Sequence, residues 1–184
     1  MNKRVIIIHG WGGSPQNGWM PWAKLEFENR GYEVIVPAMP LSDYPKIENW
    51  IPCLGDVIGK LQPTDILIGH SMGCQAILRF LERKPKDQKV GKVILVAGFG
   101  RYLTGLTEEE QRIAQPWLDV PLDLDKVKTK ADSFIAIFSD NDPFVPLEKN
   151  KKLFEEKLGA QILIEHSKRH FNEDSLPVLL DYLF

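Results

Sequence analysis

The sequence has few cysteines, no long hydrophobic run and almost no excess of either charge. Its two cysteines, Cys53 and Cys74, fall in helix-like segments without metal-type spacing, which predicts reduced core thiols in a cytoplasmic protein. The apolar run at residues 5–8 is too short for the core of a signal peptide. No stretch approaches the length of a membrane-spanning helix, so no membrane partner is expected.

The charge balance gives no reason to expect nucleic acid as a partner. Lys and Arg number 23 and Asp and Glu number 25, and the net charge of −2 does not favour binding to nucleic acid. With 184 residues, 43% hydrophobic and 26% charged, the composition is that of an ordinary globular protein. We find no repeat, low-complexity tract or linker, and we therefore expect a single domain over residues 1–184.

Short apolar runs alternate with longer amphipathic ones, which is typical of a parallel sheet covered by helices. The Val- and Ile-rich runs predict strands at residues 5–9, 33–37, 65–69, 92–97, 134–139 and 161–165. Helices are predicted at residues 21–30, 47–61, 72–83, 108–117, 124–130, 147–158 and 175–183. Pro52, Gly55 and Gly59 predict that the second helix is broken or starts late. The expected fold is α/β, a mostly parallel sheet of about six strands with helices on both faces.

The segment Gly69-His70-Ser71-Met72-Gly73 joins a predicted buried strand to a predicted helix. This is the G-x-S-x-G pattern of a nucleophile elbow, a sharp turn in which small flanking residues relieve crowding and the serine hydroxyl projects. Ser71 is therefore the candidate nucleophile, and the N–H of Met72 is a candidate oxyanion donor. The alternative is a glycine-lined turn with a serine N-cap.

A glycine-rich loop, His9-Gly10-Trp11-Gly12-Gly13-Ser14, follows the first strand. Such loops also bind phosphates, but this one completes neither nucleotide-binding pattern, and no suitable acidic residue follows the second strand. We expect the N–H of Trp11 to be the second oxyanion donor and His9 to orient the loop. A simple tight turn remains the alternative for this loop considered alone.

A serine nucleophile needs a base, and the base needs an orienting acid, in the chain order Ser, Asp or Glu, His. Asp140 and Asp142 follow the fifth strand, and we choose Asp142 because Pro143 makes its position rigid; Asp140 is the second choice. His166 and His170 follow the last strand, and His170 is preferred because it lies deeper in the loop. A metal site at this pair is discounted, since no third ligand is evident, and no cofactor is expected.

Four stretches resemble a known family: His-Gly-Trp at 9–11, residues 69–81, Asp-Pro-Phe-Val-Pro at 142–146 and His-Phe at 170–171. In these stretches the chain resembles the YdeN-like serine hydrolases, the family of the retinoblastoma-binding serine hydrolase. The resemblance implies a minimal, lidless α/β-hydrolase fold, a Ser71–Asp142–His170 triad and carboxylesterase-like activity. Arg169, where many hydrolases have glycine, is a departure just before the base.

The expected substrate is a small or activated ester, and the sequence does not identify a protein partner. Only 36 residues, 98–133, separate two predicted strands, which leaves little room for a lid and predicts a shallow, open site. Trp19, Phe99, Trp117 and Phe144 are candidate pocket residues, with core packing as the alternative for each. A thioesterase or amidase would use the same triad, and a binding scaffold is the alternative outside enzymes.

Overall fold

The six strands form one parallel sheet, in the order β2-β1-β3-β4-β5-β6, in a computed structural model that describes residues 3–182. The strands are β1 (Arg4–Ile8), β2 (Glu33–Ile35), β3 (Ile66–His70), β4 (Val90–Val96), β5 (Ala131–Ser139) and β6 (Gln161–Glu165). Every predicted strand is present, with ends shifted by at most three residues. Their near-continuous apolar character follows from burial on both faces of the sheet.

In the described part of the chain, six α-helices connect the strands. They are α1 (Met20–Glu28), α2 (Ile47–Ile58), α3 (Met72–Glu82), α4 (Glu108–Asp119), α5 (Leu124–Lys128) and α6 (Leu147–Leu158). The prediction of a broken or late second helix is wrong, because α2 runs unbroken through Pro52. Proline removes one helical hydrogen bond, and the burial of Trp50, Leu54 and Ile58 on one face holds the helix despite that loss. No helix within residues 3–182 has the length and apolar character needed to cross a membrane.

The last predicted helix, residues 175–183, is a 3-10 helix at Pro177–Tyr182, and Leu183 lies outside the described residues. Pro177 opens this segment without an N–H to extend a helical ladder backwards, and short segments of this kind commonly adopt 3-10 geometry. Leu179 within it is fully buried against the sheet.

The sheet has a hydrophobic core on each face. Alternate strand residues contribute to the two cores, so Ile6 and Ile8 of β1 lie in one and Val5 and Ile7 in the other. The first core contains the buried faces of α2, α3, α5 and α6, and the second contains those of α1 and the 3-10 helix. Helices on both faces were predicted, and this prediction is confirmed.

The strand order creates a crevice at the carboxyl ends of β1 and β3. The chain goes from β1 to β2 on one side and then returns to β3 on the other side of β1. The loop after β1 leads to α1 on one face, whereas Ser71 leads directly into α3 on the opposite face. Ligands of open α/β sheets bind where neighbouring connections diverge in this way.

The first turn of α3 packs directly on the end of β1. A Cβ atom built on Gly73 would lie 2.3 Å from the carbonyl oxygen of Ile8, and one on Gly69 would lie 2.7 Å from the amide nitrogen of Cys74. Both distances are far below van der Waals contact, so neither position has room for a methyl group. The glycines of the G-x-S-x-G pattern are therefore required by backbone packing.

We expect Gly73→Ala to lower the free energy of unfolding by about 3 kcal/mol or more, because backbone on both sides must move. Gly55→Ala is the matched control, since Gly55 lies inside α2 and its Cβ would meet nothing within 4 Å. The free energy of unfolding of that variant should rise by about 0.5–1 kcal/mol, because alanine has the higher helix propensity. Urea unfolding measures both, and similar small effects at the two glycines would contradict the packing argument.

Candidate active site

Ser71 occupies a strained turn between β3 and α3. Its backbone angles are φ 51° and ψ −116°, in a region that non-glycine residues rarely adopt. The N–H of Ser71 donates to the carbonyl of Val96 at 2.9 Å, which ties the turn to the end of β4. The turn places the side chain at the carboxyl edge of the sheet, in the crevice.

The three residues predicted as nucleophile, base and acid form a continuous hydrogen-bonded series. The hydroxyl Oγ of Ser71 lies 2.9 Å from Nε2 of His170, and Nδ1 of His170 lies 2.8 Å from Oδ2 of Asp142. The side chain of His170 is 13% exposed and that of Asp142 only 2%. In this geometry an imidazole can accept the serine proton while the shielded carboxylate stabilises the resulting imidazolium.

Asp142 is fixed by its own loop. Its second oxygen, Oδ1, accepts the N–H of Phe144 at 2.8 Å and the N–H of Val145 at 3.1 Å, which directs Oδ2 towards His170. Asp140, the second choice, is instead hydrogen-bonded to Nδ1 of His166 and to the N–H of Ser167. Those two partners, the Ser167 N–H first, hold the pKa of Asp140 below its ordinary value.

The two residues predicted to supply the oxyanion donors lie around the same cleft. Trp11 and Met72 both line the cleft around Ser71, and within residues 3–182 neither backbone N–H has a hydrogen-bond partner. An N–H pair without partners beside a serine hydroxyl is able to stabilise an oxyanion.

The loop that carries Trp11 is tied down by its neighbours. His9 donates from Nδ1 to the carbonyl of Gly10 at 2.8 Å and accepts the N–H of Met39 on Nε2 at 3.0 Å. The indole N–H of Trp11 donates to the carbonyl of Asp43 at 2.9 Å. Burial lowers the pKa of His9, which therefore stays neutral and keeps this tautomer. His9 thus links the loops after β1 and β2, consistent with an orienting role.

His70 is a contributor that the sequence analysis did not assign. Its Nε2–H donates to the carbonyl of His170 at 2.8 Å, and Trp19 packs edge-on against its ring, with centroids 5.9 Å apart. Burial, and then the neighbouring charge of His170, lower the pKa of His70 to about 3. His70 is therefore a neutral donor that fixes the backbone of His170. Its position directly before Ser71 is the signal that could have identified it.

The cleft around Ser71 has a volume of about 330 Å³ and mostly apolar walls. Two predicted pocket residues line it, Phe99 and Phe144, and the Phe144 ring meets that of His170 edge-on at 5.2 Å. Trp19 instead lines a neighbouring cavity of about 300 Å³ that shares Trp11 and His70 with the cleft.

Trp117 lies outside the cleft, contrary to its prediction as a pocket residue. It is 1% exposed, its indole N–H donates to the carbonyl of Pro45 at 2.9 Å, and its ring meets that of Trp50 at 5.8 Å. These contacts put it in the core on the inner side of α4. The cleft is completed by residues the sequence analysis did not select because they belong to no motif: Leu103, Leu106, Glu110 and Asn172.

The serine hydrolase family profile matches residues 5–176, and the chain therefore belongs to the serine hydrolase family. The fold and the serine-centred cleft agree with that membership. YdeN of Bacillus subtilis (strain 168), which carries the name of a hydrolase, is 33% identical over 187 residues, covering 100% of this chain and 95% of its own. The serine hydrolase RBBP9 of Rattus norvegicus is 26% identical over 180 residues, covering 96% and 91%.

Solved structures agree with the fold. The crystal structure of the ydeN gene product from B. subtilis superposes with a TM-score of 0.90 at 31% identity, covering 99% of this chain and 97% of that one. A carboxylesterase from the thaumarchaeon Nitrososphaera gargenis superposes with a TM-score of 0.70 at 15% identity, covering 92% and 84%. At that low identity the second match shows a shared α/β-hydrolase fold alone.

The buried, neutral state of His70 predicts an acid-sensitive contribution to stability. In the unfolded chain, His70 binds a proton below its ordinary pKa of 6.5. In the folded chain its pKa is about 3, so His70 stays neutral until the pH falls to about that value. The stability of the wild type should therefore fall between pH 6.5 and 3 relative to His70→Gln, by up to about 1.4 kcal/mol per pH unit. Urea unfolding of both proteins from pH 7.5 downwards measures this difference, which a pH-independent gap would refute.

Proposed function

We propose that this serine hydrolase cleaves small carboxylic esters through an acyl-enzyme on Ser71, with His170 as base and Asp142 as orienting acid. The observation that carries the proposal is the pair of contacts at His170, 2.9 Å to the hydroxyl of Ser71 and 2.8 Å to the carboxylate of Asp142. Trp11 and Met72, whose backbone N–H groups have no partner within residues 3–182, line the same cleft as Ser71 and His170. Acyl transfer needs all of these groups together.

The reaction begins when Nε2 of His170 takes the proton from Ser71 as Oγ attacks the ester carbonyl carbon. The N–H groups of Trp11 and Met72 donate to the oxyanion, and losing one such donor costs about 2.7–4 kcal/mol of transition-state stabilisation. His170 then gives its proton to the leaving alcohol. Water, deprotonated by His170, attacks the acyl-serine, and the protonated His170 returns the proton to Ser71 as the acid leaves.

The cleft supports a small, largely apolar substrate. Its volume of about 330 Å³ is near the lower end for small-molecule sites. Phe99, Leu103, Leu106 and Phe144 form walls that favour an aliphatic or aromatic acyl group. The fold shared with a carboxylesterase is consistent with ester cleavage.

A fluorophosphonate probe tests the nucleophile. We expect the wild type to be labelled at Ser71 and to hydrolyse p-nitrophenyl butyrate, because His170 activates the hydroxyl. Ser71→Ala should not be labelled, and His170→Ala should be labelled at least about 1,000-fold more slowly. An unlabelled but folded wild type would favour the scaffold alternative, and labelling of Ser71→Ala would refute the choice of nucleophile.

The two aspartates provide a matched comparison for the acid. Asp142→Asn should reduce kcat by about 10⁴-fold, because it loses the carboxylate that orients His170. Asp140→Asn keeps an oxygen for the N–H of Ser167 and should stay within about threefold of wild type, because the hydrogen bonds of Asp140 among residues 3–182 go to His166 and Ser167 and not to His170. The reverse order would transfer the role to Asp140.

Glu110 gives the proposed substrate site a charge preference. Among residues 3–182, it is the one carboxylate that lines the cleft, and neither Lys nor Arg belongs to that lining. Oε2 of Glu110 accepts the N–H of Thr107 at 2.7 Å and its hydroxyl at 2.8 Å, and these bonds lower the pKa of Glu110. Glu110 is thus ionised at neutral pH. Its negative charge weakens the binding of anionic acyl chains and strengthens the binding of cationic ones.

An isosteric pair of esters measures this preference, p-nitrophenyl 4-(trimethylammonio)butanoate and the neutral p-nitrophenyl 5,5-dimethylhexanoate. We expect the cationic-to-neutral ratio of kcat/KM to fall a few-fold in Glu110→Gln, which retains a capping acceptor for Thr107. Glu109→Gln, in the same helical turn but outside the cleft, is the control and should leave the ratio unchanged.

Salt provides an independent check on the same preference. In about 1 M NaCl, where charges are screened within about 3 Å, the wild-type ratio should approach that of Glu110→Gln. Equal ratios for wild type and Glu110→Gln at low salt would contradict a role for this carboxylate in substrate choice.

A further inference from the structure

Four consecutive side chains, beginning with the last residue of β5, bind four consecutive residues of the loop after β6. Ser167 N–H donates to Oδ1 of Asp140 at 2.8 Å, Lys168 N–H to Oγ of Ser139 at 3.0 Å, and Arg169 N–H to Oδ1 of Asn141 at 2.7 Å. The last contact is that of His170 with Asp142. The loop that bears the proposed base is thus held along its length by residues 139–142, which we call the acceptor segment.

The held loop has an unfavourable backbone conformation. Ser167, Arg169 and Phe171 have φ values of 57°, 48° and 55°, in the left-handed region that favours glycine. None of the three is glycine, so the conformation persists because surrounding contacts compensate for it. His170, between two of these residues, depends on them for the direction of its side chain.

Asn141 is the member of the acceptor segment that controls the residue directly before His170. Its Oδ1 accepts the Arg169 N–H and also the hydroxyl of Ser139, which fixes the orientation of the amide. On the other side of the base, His70 holds the carbonyl of His170. The Lys168–Arg169 peptide and the His170–Phe171 peptide are therefore each fixed by a side-chain hydrogen bond.

We propose that Asn141 is a positioning residue for the base: by holding Arg169 in its left-handed conformation, it keeps Nε2 of His170 within reach of Ser71. This inference rests on the proposed function, because it assumes that His170 is the base. Within residues 3–182, Asn141 has no hydrogen bond to Ser71 or to the imidazole. Its effect on catalysis passes through the backbone of Arg169, where a displacement near 1 Å at the imidazole can cost about 100-fold in rate.

The test first removes the acceptor oxygen of Asn141 and then makes residue 169 a glycine, which needs no hydrogen bond to hold a positive φ. Asn141→Leu should lower kcat for p-nitrophenyl butyrate by about 10- to 100-fold while KM stays within about twofold, since the cleft walls are untouched. Asn141→Asp retains an acceptor oxygen and should keep most of the activity. Adding Arg169→Gly to Asn141→Leu should restore most of kcat, because glycine adopts positive φ without support.

Ser167→Gly added to Asn141→Leu is the matched control. Ser167 is also left-handed, but its N–H is held by Asp140, so glycine there should restore nothing. A merely structural role of Asn141 would lower the melting temperature without this selective rescue. If Asn141→Leu does not fold, Asn141→Ala takes its place in the same comparison.

The outcomes separate this inference from the proposed function. If fluorophosphonate does not label the wild type, the proposed function fails whatever Asn141 does. If the wild type is labelled and Asn141→Leu reacts at the same rate, the positioning role is overturned. Equal rescue by Ser167→Gly and Arg169→Gly, or rescue by neither, would also overturn it.

Discussion

No side chain separates the first turn of α3 from the end of β1, because Gly73 brings backbone against backbone there. This close approach brings the turn at Ser71 alongside the loop after β1, where Gly10 also passes close to the Cβ of Ser71. Trp11 and Met72 consequently line one cleft although they belong to diverging connections. The rest of the site depends on this contact, because His170 and Asp142 act on the hydroxyl of Ser71, and this turn is what exposes that hydroxyl.

Hydrogen bonding continues beyond the sheet on the side of the acid and base. The pairing of β5 with β6 ends at Ser139 and Glu165, and side chains then bond the two loops to each other. His70 adds a link from β3 to the same region. The site is thus an extension of the parallel sheet, in which side-chain acceptors replace backbone ones where the strands separate.

The sequence predicts the fold well, because buried parallel strands leave an apolar signal and the G-x-S-x-G pattern marks one strand end. Chain order then points to the loops that carry Asp142 and His170, and the structure joins these residues to Ser71. The pocket was harder to predict. Trp117 lies in the amphipathic helix α4, whose pattern does not distinguish a wall of the cleft from the core, and it packs on Trp50. Leu103 and Leu106 lie in a loop where no periodicity identifies a face.

The residue types in the loop after β6 also affect how much conformational entropy the chain loses on folding. Glycine at Ser167, Arg169 and Phe171 would relieve strain in the folded loop, but it would enlarge the set of conformations open to the unfolded chain. With bulkier residues, fewer conformations compete with the native one once the hydrogen bonds of the acceptor segment have formed. Backbone strain in the folded loop is therefore accompanied by a smaller loss of conformational entropy when the loop around His170 folds.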